Sequence, residues 1–276
     1  RLDLPLTSFL IFANTGILIM KKTFAALLTG LILSAPVAAQ TIETISFGVD
    51  GGYPPFDVLA PSGEITGFDI DIANALCDNL HAKCVFVKQP FESMIAALNA
   101  RKFDAIIASL SITDERKKEV DFTDRYYRSA AQLVARKGSP LSPDVASLKG
   151  KTVGVQTGSI HETYAKKHWG GQGVKIVSYA NQDNVYLDLM SGRINASLQD
   201  NIQAASSFID TPRGQKFAFA GPVIQDETIS SDVGIAVGKD NPALRDALNG
   251  AIKAIRADGT YDAIQKKYFS FDIYGE

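Results

Sequence analysis

An α/β protein of two similar lobes, each a Rossmann-like parallel sheet covered by helices, is predicted by three features of the 276-residue sequence. Strand-like and helix-like patterns alternate along it, as a parallel sheet with crossover helices requires. Two separated stretches echo one another in element order and turn chemistry. Apolar side chains make up 46% of the chain, with mean hydropathy near zero, which supplies a core and excludes a fibrous or disordered composition.

Before the first strand, Met20, Lys21 and Lys22 precede the apolar run from Thr23 to Leu33, and Val37, Ala38 and Ala39 follow at signal-peptidase spacing. Residues 20–39 therefore read as a signal peptide cleaved after Ala39. The run is shorter than the ~20 residues a membrane span needs. Residues 1–19 begin with Arg1 upstream of that leader and are expected to be a translation artefact. No cysteine stands at the cleavage point, which argues for a freely diffusing periplasmic protein rather than a lipid-anchored one. Removing residues 1–39 takes Arg1, Lys21, Lys22 and Asp3 from 28 basic and 30 acidic residues, leaving 25 against 29 and a net charge of −4. That balance argues against nucleic acid as a partner.

Strand signals run over Thr44 to Val49, Cys84 to Val87, Ala105 to Ala108, Thr152 to Val155, Lys175 to Val177 and Ala196 to Leu198. Helical periodicity covers Asp69 to Asn79, Phe91 to Asn99, Ser159 to His168, Asn184 to Ser191 and Pro242 to Ala257. TISFGVDGGYPPF is matched by KTVGVQTGSIHETY, and ESMIAALNARKFDAIIASL by VYLDLMSGRINASLQD. The equivalent loops of two such lobes face each other across a cleft. Ligands of open parallel sheets bind beyond the carboxyl ends of strands, where Asp50, Ser109, Gln156 and Asp200 fall.

SDVGIAVGKD reads as one more strand, followed by a mainly helical stretch to Tyr268. A tail returning to the first lobe makes the chain cross twice, near Arg128 to Leu133 and near Gln225 to Val233. Two such crossings form a hinge between lobe 1, residues 40–129 plus 232–276, and lobe 2, residues 130–231. Cys77 and Cys84 lie seven positions apart, between a helical pattern and a strand. In an exported protein they read as a short-loop disulfide.

Two segments carry candidate chemistry. Ser159 and Glu162 stand at capping-box spacing after Gly158, and the helix start they define can hold a carboxylate on its free amides. Taken alone, the motif is more often an ordinary cap. In ASLSITDERKKEVDF, Ser109 and Ser111 leave a strand just before Arg116, whose guanidinium can grip a carboxylate through two parallel hydrogen bonds. A solvated charge in the row Arg116 to Lys118 is the equal alternative.

Together GVDGGYPPF, GFDIDIANALC, FDAIIASLSITDER, LKGKTVGVQTGSIHE, ASLQD, FAFAGP and DGTYDAIQKKYFSFDIYG span nearly all of residues 43–276 in order. On these segments the sequence resembles the periplasmic basic-amino-acid-binding proteins of ABC transporters, the lysine, arginine, ornithine and histidine group of bacterial solute-binding protein family 3. The resemblance implies the type II periplasmic binding fold, a cationic amino acid as ligand and the permease subunits of an ABC importer as partners. It also matches the paired cysteines.

By position, the resemblance implies that Arg116 grips the ligand α-carboxylate, helped by Ser111 and amides near Ile160. Asp200 pairs with the α-ammonium, Tyr53 and Phe91 sandwich the side chain, Asp50 stands near its cationic end, and Ser109 lines the pocket. Apart from the resemblance, Ser159 at its helix start and Gln156 at its strand end stand where a ligand of the second lobe would sit. Physics agrees, because a buried zwitterion needs one anion and one cation, and a second acid suits a second positive charge.

Ala108, Gln156 and Ile160 depart from the lysine/arginine/ornithine pattern, and GVQTGSIHE looks more like arginine-binding and opine-binding relatives. Asp69 and Asp71 read as structural acids at a helix start. His161 reads as an exposed helix residue, with the cleft wall as its alternative. A rival reading is an enzyme similar to periplasmic cyclohexadienyl dehydratase, with Glu227 or His161 as general acid. No zinc cluster, phosphate loop or nucleophile triad stands out, so a monomeric, non-catalytic receptor without metal or cofactor is expected.

Overall fold

A computed structural model describes residues 42–275. The leader at 20–39 and the stretch 1–19 lie outside the described residues. The first part runs β1 (Thr44–Val49), β2 (Gly52–Tyr53), β3 (Asp57–Leu59), β4 (Ile65–Thr66), α1 (Phe68–Asn79), β5 (Lys83–Lys88), α2 (Met94–Asn99), β6 (Ala105–Ile106), α3 (Asp114–Lys117) and β7 (Asp121–Arg128). The middle part follows as β8 (Ala131–Arg136), α4 (Val145–Leu148), β9 (Thr152–Gln156), α5 (Ile160–His168), β10 (Lys175–Tyr179), α6 (Gln182–Ser191), β11 (Ala196–Asp200), α7 (Asn201–Ala204) and β12 (Phe217–Phe219). The chain closes with β13 (Asp232–Val237), α8 (Pro242–Ala257) and α9 (Thr260–Tyr268).

The strands form two five-stranded sheets ordered β5-β1-β6-β13-β7 and β10-β9-β11-β8-β12, with β2, β3 and β4 making a small third sheet. Read strand for strand, the two orders are the same, which is the structural form of the sequence echo. β1 runs parallel to β5 from Thr44 opposite Lys83 to Val49 opposite Lys88, and β9 runs parallel to β10 in the same manner. The predicted all-parallel sheets are in fact mixed, because β13 lies antiparallel to β6 and β7, and β8 lies antiparallel to β11 and β12. Each antiparallel strand enters its sheet beside a passage between sheets rather than through a crossover helix.

Between β7 and β8 the first passage is only Ser129 and Ala130, and the second leads from β12 to β13. The Ser129 amide donates to the Ser231 carbonyl at 2.9 Å, and the Ala130 amide to Asn201 Oδ1 at 3.2 Å. Strands β7 and β8 were not legible as strands. DFTDRYYR interleaves charge with aromatics at a sheet edge, and AQLVAR continues straight from it.

Helices α1, α8 and α9 pack on the first sheet around Phe56, Phe68, Tyr126, Tyr127, Tyr261 and Phe269. Phe56 stacks on Tyr127 with centroids 4.7 Å apart. The second sheet buries Trp169, Leu133 and Val155 on one side and Tyr186 with Phe208 on the other. Cys77 at the end of α1 and Cys84 at the start of β5 are joined in a disulfide, with Cα atoms 5.8 Å apart. Among the described residues, no helix is long and apolar enough to cross a membrane.

Candidate functional site

Strands β1, β6, β9 and β11 all end at one cavity lying between the two sheets. Its walls include Tyr53, Phe91, Ala108, Ser109, Ser111 and Arg116 from the first part of the chain. Gln156, Ser159, Ile160, His161, Gln182 and Asp200 face them from the middle part. Nine of the ten residues singled out in the sequence are thus brought together, and the tenth, Asp50, is not on this wall.

Asp200 closes β11 and is 5% exposed. Its Oδ2 accepts a 2.5 Å hydrogen bond from the Tyr53 hydroxyl, 147 positions away in sequence. Its Oδ1 faces His161 Nε2 at 3.6 Å. Burial, reinforced by Asp200, pushes the Tyr53 phenol well above its ordinary value, so the proton of that bond stays on the tyrosine.

Thr113 caps α3 by accepting from the Arg116 amide at 3.2 Å, which sets the guanidinium over the strand end. Arg116 donates to the Ser111 carbonyl at 2.8 Å and to the Gly158 carbonyl at 3.1 Å, and its guanidinium lies 5.8 Å from the Phe91 ring centroid. It therefore touches backbone from both sheets' loops. Desolvation pulls it down to about 10, with Asp200 opposing, so it remains charged at neutral pH.

Ser159 caps α5, its Oγ accepting from the Glu162 amide at 3.1 Å, while Glu162 Oε2 accepts from the Gly158 amide at 2.7 Å. The side chains thereby satisfy the turn and leave the first-turn amides of α5 at the cavity wall. Gly158 has φ +77°, and a Cβ there would stand 2.8 Å from Glu92 Cα, so only glycine permits this approach of the two loops.

Asp50 sits behind Phe91, 8% exposed, and its Oδ1 accepts from the Phe91 amide at 3.2 Å. Its buried Oδ2 has no hydrogen-bond partner among the described residues. Burial raises its pKa, opposed by the Phe91 amide and by Lys88. The turn that follows Asp50 is capped by another acid. Asp57 has that work, accepting from the Gly51 and Tyr53 amides at 3.0 and 3.1 Å.

Of three further site features, Gln182 escaped the sequence, while His161 on the cleft wall stood there as the alternative and Asp69 as a structural acid. His161, expected on an exposed helix face, is 5% exposed and on the cavity wall. Gln182 opens a buried polar chain, Gln182 to Gln199, Gln199 to the Tyr186 hydroxyl, and that hydroxyl to Gln203. Asp69, at the start of α1, is fully buried and accepts from the Ser109 amide at 2.8 Å, the Ser109 hydroxyl at 3.1 Å and the Tyr126 hydroxyl at 2.8 Å. Ser109 itself has φ +53°, a strained value for a non-glycine residue that Asp69 holds in place. The positive φ of Ser109 has no sequence signature, whereas the GFDID run gave Asp69 as a structural acid at a helix start, the place it holds.

The family model of the bacterial extracellular solute-binding proteins, family 3, matches residues 45–271. The chain belongs to this family. As a family 3 protein it is 45% identical over 260 residues to the lysine/arginine/ornithine-binding periplasmic protein of Escherichia coli (strain K12), covering 93% of this chain and all of that one. The histidine-binding periplasmic protein of Salmonella typhimurium is 44% identical over 259 residues, again 93% of this chain and all of the relative. Among solved structures, an ancestral arginine-binding protein bound to arginine superposes with a TM-score of 0.77 at 35% identity, over 83% of this family 3 chain and all of the other. These relatives are binding proteins, and the family is extracellular.

Proposed function

We propose that this family 3 protein is a periplasmic receptor that closes two lobes around a cationic L-amino acid, namely arginine, ornithine, lysine or histidine, and delivers it to the membrane permease of an ABC importer. The carrying observation is the charge arrangement of the cavity. Arg116 offers a guanidinium from one side and Asp200 a carboxylate from the other, while Asp50, off this wall behind Phe91, holds a buried carboxyl oxygen with no hydrogen-bond partner among the described residues. An isolated buried charge costs several kcal/mol, so the occupant that suits Arg116 and Asp200 is a zwitterion, and a side chain that reaches past Phe91 to Asp50 carries one more positive group.

In this reading Arg116 grips the α-carboxylate with Ser111 and the α5 amides at Ser159 and Ile160. Asp200 takes the α-ammonium, Tyr53 and Phe91 flank the stem, Ser109 and Gln156 line the sides, and Asp50 meets the cationic end. Lobe 1 comprises residues 40–129 and 232–276, lobe 2 residues 130–231, and the paired passages at Ser129–Ala130 and before Asp232 form the hinge. Closure follows from contacts the ligand makes only when both lobes meet it. The names of the relatives support the ligand class.

An opine is a second reading, favoured by the amide of Gln156 on the wall, which can take up an additional carboxylate. A dehydratase role needs a positioned general acid; of the two candidates, Glu227 is exposed and off the cavity wall, and His161 on the wall faces Asp200. The exported protein acts as a monomer without cofactor.

The test is a thermal-shift panel of arginine, ornithine, lysine, histidine, octopine, nopaline and prephenate on residues 40–276. A ligand that binds only the folded state raises the melting temperature. A shift with the cationic amino acids and none with prephenate is expected, and the reverse pattern overturns the reading.

A further inference from the structure

His161 is the one titratable side chain of the cavity wall that the proposed ligand chemistry leaves without a task. It projects from the first turn of α5, is 5% exposed, and its Nε2 has no hydrogen-bond partner among the described residues. That nitrogen stands 3.6 Å from Asp200 Oδ1, outside hydrogen-bond range yet within reach of an ion pair. The other carboxylate oxygen, Oδ2, is already held by the Tyr53 hydroxyl at 2.5 Å. Oδ1 is therefore the face of Asp200 left for a cation, and His161 looks directly at it.

We infer that His161 is an affinity-determining residue that makes capture of an ammonium-bearing ligand and uptake of a proton mutually exclusive. The inference rests on the ligand reading above. With a neutral imidazole, Oδ1 is free to receive the ligand's ammonium, and Nε2 stands beside it as a second polar contact. With an imidazolium, Asp200 acquires an internal counter-ion and the incoming ammonium meets a like charge. Proton and ligand then compete for one carboxylate, and by linkage each weakens the other equally.

The groups facing the imidazole fix the sign. From β11 comes Asp200, which favours the charged ring, and from α3 comes Arg116, which disfavours it. On its own helix, Glu162 is turned away to the Gly158 amide, Lys166 and Ser178. Burial is the largest influence and lowers the histidine from its ordinary 6.5, so the ring is neutral at neutral pH and charges only in acid. The device therefore leaves capture intact at neutral pH and loosens the grip as the surroundings acidify.

The experiment is calorimetric titration of arginine into the wild type and His161→Gln from pH 5 to pH 7.5, in buffers of different ionisation enthalpy. Glutamine keeps a polar group of similar reach and cannot titrate, while Asp69 and Asp50 remain. For the wild type, affinity is expected to fall by up to about tenfold per pH unit below the imidazole pKa, with release of up to about one proton on binding. His161→Gln should hold its affinity within about threefold across the range and release no proton through this group. A wild type that is flat with pH and releases no proton overturns the inference, as does an equal slope in the variant. Should the variant fail to bind, proton release by the wild type decides alone. Absence of arginine binding by the wild type at pH 7.5 instead overturns the ligand reading and this inference with it.

Discussion

The Tyr53 hydroxyl donates to Asp200 Oδ2 at 2.5 Å and so joins the end of β2 to the end of β11, one residue on each side of the cleft. A hydrogen bond to a charged group contributes about 1.5–3 kcal/mol. This one is made only when the two sheets' loops are together, so it biases the molecule toward closure. Tyr53→Phe keeps the ring and removes the donor. Small-angle scattering of the ligand-free variant should give a larger radius of gyration than wild type, and an unchanged profile would show that the bond does not hold the lobes.

Gly158 sets how closely the loops approach. Its φ of +77° and the 2.8 Å separation between a hypothetical Cβ and Glu92 Cα leave no room for a side chain. Gly158→Ala should weaken arginine binding at least about tenfold, equivalent to about 1.4 kcal/mol, by obstructing full closure. Titration of the variant at neutral pH checks this, and wild-type affinity would contradict it.

Much of this architecture was legible in the sequence for a physical reason. Strand and helix periods report which faces are buried, so β1, β6, β9, β11, α5 and α8 stand out, and the carboxyl ends of β6, β9 and β11 locate Ser109, Gln156 and Asp200. Direction is not encoded in a period of two, which is why β13 was not distinguishable from a parallel strand. Side-chain aim is also hidden. Asp50 stands at a strand end like Asp200, yet the Phe91 amide holds it behind the aromatic wall. His161 looked like an exposed helix residue because most of α5 is polar, and its burial follows from its place on the cavity wall facing Asp200.

Asp69 makes a pH prediction. Burial holds its carboxyl at about 7 in the folded protein, against 3.8 as the ordinary value. Between those values the folded state carries the extra proton, so this group's contribution to stability declines as pH rises from about 4 to about 7. At about 1.4 kcal/mol per unit, the full effect is on the order of 4 kcal/mol. Asp69→Asn imitates the protonated acid and should flatten the melting temperature across this range, gaining on wild type most at pH 8. Parallel curves for the two proteins would refute the assignment.

The Cys77–Cys84 disulfide spans seven positions at the end of the first sheet opposite the cavity. Closing so short a loop restrains the unfolded chain by about 2–3 kcal/mol. Cys77→Ser with Cys84→Ser should lower the denaturant midpoint accordingly and leave arginine affinity unchanged. A large loss of affinity would mean that the bridge shapes the site as well as stabilising its lobe.

The central claim is that a zwitterion is gripped from both sides, by the Arg116 guanidinium and the Asp200 carboxylate. Calorimetric titration of arginine into Arg116→Lys and Asp200→Asn at pH 7.5 tests it most directly. Lysine keeps the charge but not the paired donors, and asparagine keeps the shape but not the charge. Each variant should lose about 100-fold or more in affinity, equivalent to about 2.7 kcal/mol, while melting as a folded protein. Binding within about threefold of wild type in either variant, under about 0.7 kcal/mol, would contradict the account.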